Sequence, residues 1–298
     1  MRTKKISFFL ASKKGFEILK MVVELNGDVV GQVVSVEDSY NHNRYYDQIK
    51  KLSKDYGINF FNVKDDYNVN FQLSIAISWP YIIEAKPNSL IVLHDSLLPK
   101  YRGFSPLVSA LVNGDEEVGV SAFFANKDYD SGALIGLSKT KISYPIKILD
   151  AIDLVIENYK LLLFDILDKF VSGKEIESFE QCEENVTYSL WRDEKDYYIE
   201  WNKTSSEIQR FVNAVGAPYS GAATYLGNRI VRILDVEVLN DVYIVNRSPG
   251  KVIFLKDGCP VVVCGEGLLK ILNAYYEDTK ISILPLNKLK IRFSFNSN

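Results

Sequence analysis

Histidine, cysteine and excess charge are what this sequence has least of. Its 298 residues include two histidines, His42 and His94, and three cysteines, Cys182, Cys259 and Cys264. The cysteines are odd in number, show no metal-ligand spacing and lie far along the chain from both histidines, so neither a disulfide framework nor a zinc site is expected. Cys259 and Cys264 flank the apolar run PVVV and read as packed thiols. Long apolar runs are also missing. The N-terminal run Ile6–Ala11 is too short for a leader or a membrane span and meets Lys13 and Lys14, so a cytoplasmic protein is expected. The first strand-to-helix turn, ASKKG, lacks the G-x-G-x-x-G pattern that lets backbone approach a pyrophosphate, which argues against a nicotinamide or flavin dinucleotide. Lys13 and Lys14 in that turn either meet phosphates at a helix N-terminus or are simply solvated.

What is present is an ordinary globular composition, 47% apolar over a length that suits two domains. Short apolar strands at Ile6–Ala11, Val29–Val36, Ile58–Val63 and Ser74–Ser78 alternate with helical patterns at Gly15–Leu25 and Arg44–Tyr56, the order of a doubly wound α/β sheet. Leu90–Leu93, LIVL, reads as another buried strand and Leu134–Ser143 as a further one. The longest amphipathic pattern, Ile146–Val171, stops at Gly173. The mixed acidic stretch Lys174–Asn185 looks like a linker. Beyond it the texture turns to short β-rich runs, Ile230–Val238, Val242–Asn246, Lys251–Leu255 and Pro260–Cys264, separated by turn residues. A Rossmann-like α/β domain over 1–180 and a smaller, mostly β domain over 186–298 follow from this pattern.

The stretch Leu93–Pro106, LHDSLLPKYRGFSP, carries the chemistry-bearing residues. His94 ends a strand, and in open α/β sheets the carboxyl ends of strands open into the ligand crevice, where an imidazole can move protons near neutral pH. A lone histidine there could merely cap the strand, and His42, flanked by asparagines in YNHNR, reads as a solvated loop residue. Together, HDSLLPKYRG and VGVSAFFANKDYDSGALIG from Val118 to Gly136 resemble the 10-formyltetrahydrofolate-dependent formyltransferase family, which shows an Asn-x-His followed by SLLP-x-YRG and then an Asp-Ser/Thr-Gly. The resemblance continues from Gln181 through Tyr188 to IEW at Ile199–Trp201 and IQRFVNAVGAPYSGA at Ile208–Ala222, which looks like that family's OB-like C-terminal domain.

The resemblance implies a formyl donor, 10-formyltetrahydrofolate, and catalytic roles for His94 as acid/base and for Asp130 as its support. Transfer of a formyl group to an amine passes through a tetrahedral oxyanion and moves a proton from the incoming nitrogen to the leaving one, which an imidazole and hydrogen-bond donors aimed at the oxygen assist. It further implies a folate pocket from Ser78, Trp79, Pro80, Tyr81 and Ile82 and from Asn126, Lys127, Asp128 and Tyr129. Trp79 and Tyr81 either wall the heterocycle or pack on the sheet. Ser96, Lys100, Tyr101 and Arg102 stand where an acceptor would lie, and the Lys100–Arg102 run either contacts acceptor phosphates or holds its loop shut. One departure stands out: the family's Asn, two positions before the histidine, is Val92, which has no hydrogen to donate. Asn126, then Ser78, and also Asn88 are the candidates to take over.

For the acceptor, transfer RNA would require a basic footprint. The net charge is −3 overall, and from Val186 onward 14 Lys and Arg face 12 Asp and Glu, a net of 14 − 12 = +2. A small acceptor fits better, and HDSLLPKYRGF and WPYII resemble the sugar N-formyltransferases, with a UDP-linked 4-amino-4,6-dideoxy sugar, as in the pseudaminic-acid-pathway type, as the narrowest expectation. Methionyl-tRNA formyl transfer and a catalytically impaired folate- or sugar-nucleotide-binding protein are the alternatives. A homodimer is compatible with the apolar C-terminal domain.

Overall fold

The computed structural model describes residues 5–37 and 44–296; His42 lies outside them, and so does its solvated-loop reading. Two compact units are present. The first takes the residues up to 107 together with 117–141 and 151–190, and the second takes 108–116, 142–150 and everything from 191 on.

In the first unit, β1 (Ile6–Leu10), α1 (Ser12–Asn26), β2 (Val30–Ser35), α2 (Arg44–Asp55), β3 (Asn59–Asn62), β4 (Leu73–Ile77) and β5 (Leu90–His94) follow the alternation read from the sequence. β1 and β4 are buried at every position, which is why ISFFL and LSIAI are apolar or small throughout rather than alternating. Short element β6 (Arg102–Gly103) and α3 (Pro106–Asn113), which belongs to the second unit from Val108 on, lead to β7 (Glu117–Phe124) and β8 (Leu134–Lys141), and then to α4 (Ile148–Ser172), of the first unit from Ala151 on, and β9 (Tyr188–Ser189). The seven-stranded sheet runs β3-β2-β1-β4-β5-β7-β8. Its first five strands are parallel, whereas β7 and β8 are antiparallel to their neighbours. Strand order reverses between β1 and β4, so the crevice expected of such a sheet opens beside Ser12, Ser78 and the end of β5.

Gly173 ends α4 with φ +75°; its N–H donates to the Phe170 carbonyl and that of Lys174 to Lys169, capping the last turn. The stretch read as a linker does structural work instead. Phe179 forms an antiparallel bridge with Leu134, both hydrogen bonds at 2.8 Å, and Gln181 is buried. That pairing extends the β8 edge, and a connector free of the sheet would make no such bonds.

In the second unit, α5 (Ser205–Ala214) accompanies β10 (Ala222–Leu226), β11 (Arg229–Leu239), β12 (Val252–Lys256), β13 (Cys259–Val263), β14 (Leu268–Tyr276) and β15 (Phe293–Ser294). These six strands form one antiparallel sheet, β12-β13-β14-β11-β10-β15. Its two ends approach closure: Lys251 bridges Arg292, the Phe293 N–H donates to the Gly250 carbonyl at 2.8 Å and the Val252 N–H to Ile291 at 3.0 Å. Such curling hides both edges, as in OB-like half-barrels. Val242–Asn246, expected as a strand, is irregular. Ile244 packs on the cluster of Val261, Val263 and Leu268 while Tyr243 is 94% exposed, and the Asp241 carboxylate accepts from the Val242 and Gly267 N–H groups and from Arg247, bonds local to a turn rather than to a sheet ladder. No described helix is long and apolar enough to cross a membrane.

Candidate active site

β5 places Val92 and His94 on the same face of the sheet, two residues apart. Val92 packs against two apolar clusters, one containing Phe9, Val34, Ala76 and Leu90, the other Leu98, Phe123 and Leu134. His94 ends the strand with its Nδ1 3.6 Å from Asp130 Oδ2 and its Nε2 2.9 Å from the Tyr101 carbonyl. Both flanking groups are acceptors, so the ring serves one or the other through its two neutral tautomers and both at once only with a hydrogen on each nitrogen. The His94 and Asp130 side chains are 10% and 16% exposed, enough for a substrate to reach them and little enough to limit water.

Asp130 sits in the loop joining β7 to β8, with φ +51°. Its Oδ2 accepts from the Gly103 N–H at 2.7 Å. Gln181 donates to the Asp130 and Gly132 carbonyls, both at 2.8 Å, and accepts from Arg102 Nη2 at 2.8 Å and Nε at 3.2 Å. Within the same loop, Asn126 Oδ1 accepts from the Asp128 N–H at 3.1 Å and from Ser131 Oγ at 3.0 Å. Gly132 is there because nothing larger fits: a Cβ would lie 1.7 Å from the Phe124 carbonyl oxygen.

Of the expected acceptor residues, Lys100 is exposed, whereas Ser96 is 4% and Arg102 3% exposed. The Arg102 guanidinium turns inward to Gln181 and to Glu183, 2.8 Å away, so of its two readings the structure supports holding the loop. Burial pulls its pKa down, and the Glu183 bond and charge more than offset this, leaving it above the usual value; the Arg102 bond in turn lowers Glu183. Tyr101 contributes backbone: its N–H donates to Thr187 Oγ1 at 2.8 Å and its carbonyl accepts from His94 and from Ser189 Oγ. Lys13 and Lys14 are each paired with a carboxylate, Asp153 and Asp95. Asp95 also accepts from Tyr159, whose phenol is held well above its ordinary range by burial and then by the Asp95 charge. Asp95 therefore ties the end of β5 to α1 and α4.

Ser78 and Trp79 follow β4 directly after Ile77, which pairs with Leu93, and Ser78 leaves the strand with φ +52°. Ser78 Oγ and Trp79 Nε1 are buried and find no hydrogen-bond partner among the described residues. Trp79 packs edge-to-face on Phe9 at 5.3 Å and on Tyr81 at 5.9 Å, while Tyr81 is 54% and Ile82 86% exposed. Asn88 precedes β5, at the amino end of the strand, and so lies a strand's length from His94. Lys127, Asp128 and Tyr129 are exposed in the β7–β8 loop, and Tyr129 faces Phe104 at a ring separation of 6.0 Å. Sequence reading did not single out the roles of Gln181, Gly103 and Phe104; the motif flanking Gly103 was the available signal. Among the described residues no cluster of His, Cys, Asp and Glu is arranged to hold a metal.

Residues 14–147 match the formyl transferase family model and 192–283 the model of the formyl transferase C-terminal domain. Methionyl-tRNA formyltransferase of Clostridium novyi (strain NT) is 30% identical over 199 residues, 67% of this chain and 63% of that protein, so the alignment spans less than two thirds of that relative. Solved structures share the fold, two of them as follows. WlaRD, a sugar 3N-formyl transferase crystallised with dTDP and 5-N-formyl-THF, superposes with a TM-score of 0.71 at 17% identity over 94% of this chain and 100% of its own. An N-formyltransferase from Helicobacter canadensis, in complex with folinic acid and dTDP-3-aminofucose, gives 0.68 at 15% identity over 90% and 98%. With both family models matched in order along one continuous chain, this protein belongs to the formyl transferase family.

Proposed function

We propose that this protein transfers the formyl group of 10-formyltetrahydrofolate to the primary amine of a nucleotide-linked amino sugar. The observation that carries the reading is the His94–Asp130 pair, 3.6 Å apart at the carboxyl edge of the sheet and anchored by the Tyr101 carbonyl and the Gly103 N–H. As the amine nitrogen bonds to the formyl carbon, the carbonyl π pair moves onto oxygen and His94 takes the proton that the nitrogen loses. When that pair returns, the bond to the folate N10 breaks, and His94 gives the proton to N10. Asp130 carries the compensating negative charge beside the ring throughout. The products are the formamide and tetrahydrofolate, with no net change at the protein.

The buried, unpartnered Ser78 hydroxyl and Trp79 indole N–H, next to the exposed Tyr81 and Ile82, give the β4 end the mixture of donors and apolar surface that a flat heterocycle needs. The backbone of Ser78–Ile82 and of Asn126–Tyr129 would frame it. In the place of the donor that Val92 cannot supply we put Ser78: Asn126 is exposed and its amide oxygen is committed to its own loop, and Asn88 is at the wrong end of β5.

The acceptor reading is supported by charge, with a net of −3 and a pI near 5.6, and by the dTDP in one solved relative and the dTDP-3-aminofucose in the other. Lys100, exposed beside the site, is the residue placed for an acceptor phosphate. A UDP-linked 4-amino-4,6-dideoxy sugar is the narrower form of the proposal. Formylation of methionyl-tRNA is the second reading, favoured by the Clostridium novyi relative. Absorbance-monitored release of tetrahydrofolate, with UDP- and dTDP-linked amino sugars set against initiator methionyl-tRNA, separates them. Turnover with an amino sugar upholds the proposal, turnover with tRNA alone replaces it with the second reading, and silence with every acceptor identifies a binding protein.

A further inference from the structure

Three consecutive residues fix both members of the proposed reacting pair. The Tyr101 carbonyl holds His94 Nε2, the Gly103 N–H holds the Asp130 carboxylate, and Arg102, between them, reaches the Asp130 backbone through the Gln181 carboxamide. The segment 187–189 steadies this tripeptide: Arg102 N–H donates to the Thr187 carbonyl at 2.9 Å and Phe104 N–H to Ser189 at 3.0 Å.

Asp130 needs such support, because φ +51° is a costly conformation for a residue other than glycine and persists only where its surroundings impose it. Gln181, 8% exposed, supplies it with all of its polar atoms. Its amide nitrogen spends one hydrogen on the Asp130 carbonyl and the other on that of Gly132, and its oxygen takes two bonds from Arg102. A guanidinium only donates and a backbone carbonyl only accepts, so one orientation of the amide alone satisfies all four contacts. The carboxamide thus reads the position of the SLLPKYRG loop at one end and sets the Asp-Ser-Gly turn at the other.

We infer that Gln181 is a positioning residue, with Arg102 as its anchor, that aligns Asp130 with His94 for formyl transfer. This rests on the assignment of His94 and Asp130 as the reacting pair. Two variants separate alignment from mere bracing. Gln181→Met keeps the volume and removes every bond; Gln181→Glu keeps the acceptor for Arg102 and removes both donated hydrogens. Turnover is measured together with the imidazole nitrogen resonances of His94, which stand alone in a His42→Gln background because the chain has two histidines.

Both variants are expected to lower kcat roughly 10- to 100-fold, the scale of a misplacement of about 1 Å, with KM for either substrate changed less than about threefold. Both are also expected to move the His94 resonances. Wild-type kcat and unmoved resonances in Gln181→Glu overturn the inference, as does a loss confined to KM. Should Gln181→Met fail to fold, Gln181→Glu decides alone. Full turnover by His94→Ala would instead sink the assignment beneath it, a result the resonances of Gln181→Glu do not mimic.

Discussion

Gly132→Ala is the change whose consequence follows most directly from the geometry. The added Cβ would start 1.7 Å from the Phe124 carbonyl oxygen and 2.9 Å from its carbon, where real contacts begin near 3.0 Å, so something must retreat by at least 3.0 − 1.7 = 1.3 Å. Phe124 cannot, because β7 is paired on both sides, with Ile91 opposite Phe124 in β5 and β8 on the other flank. The loop carrying Asp130 must therefore move. A shift of that size stretches the 2.8 Å bond from Gln181 to the Gly132 carbonyl past hydrogen-bonding range. Overpacking of about 1–3 kcal/mol and a lost bond worth about 1 kcal/mol make roughly 2–4 kcal/mol. At about 2–4 °C per kcal/mol for a domain of this size, the melting temperature should fall by roughly 5–15 °C. Turnover should fall on the order of a hundredfold, because Asp130 moves with the loop. Thermal unfolding by circular dichroism and steady-state kinetics read both. A melting temperature within about 2 °C of wild type, less than 1 kcal/mol is worth, would mean that the turn has slack and that Asp130 is not held as argued.

Other outcomes follow from the same geometry. His94→Ala and Asp130→Asn should each lower kcat about 10²- to 10⁴-fold while melting as wild type, since neither side chain fills the core; a folded variant with unchanged kcat removes that residue from the mechanism. Ser78→Ala should lower kcat about 10²- to 10³-fold, and adding Val92→Asn should restore part of it; wild-type turnover by Ser78→Ala returns the donor question to the backbone. For the thiols, Cys182 is exposed and should react with Ellman's reagent in the native protein at pH 8, whereas Cys264, buried and pushed up to about 12, should react only on unfolding. Native labelling of all three cysteines would show that the β13 end opens readily. Thr204→Ala removes the oxygen that accepts the Glu207 N–H at the start of α5 and should cost about 0.5–2 kcal/mol in urea unfolding; no change would mean the cap is redundant.

The parts that could be read from residues alone were those whose signal is local. ISFFL and LIVL announce buried strands because both faces are covered, and HDSLLPKYRG with Asp130-Ser131-Gly132 marks the candidate site because family motifs survive as contiguous text. The start of α5 went unread, although the reciprocal capping bonds of Thr204 and Glu207 that the structure contains have the local spacing of a capping box. Gln181 left no such mark: its partners lie 79, 51 and 49 positions away, and a carboxamide in an acidic stretch reads as a solvated linker until the sheet brings those partners to it. Val242–Asn246 misled in the opposite sense: Ile244 does pack on the core, but the backbone joins no ladder and the Val242 N–H is taken by the Asp241 carboxylate.

The second unit gathers short pieces from the middle of the chain. Arg210 Nε donates to the Val112 carbonyl at 3.3 Å, Tyr144 to that of Asp115 at 2.9 Å, and Lys147 pairs with Asp235 at 3.1 Å, all inside that unit. The boundary drawn by resemblance to the family, between 147 and 192, is therefore not the boundary of a self-sufficient body. A recombination joint placed there would give the recipient a barrel stripped of the strands of chain that seat its helix. Grafting this C-terminal half onto another catalytic half transmits its full stability only if the 108–116 and 142–150 inserts travel with it.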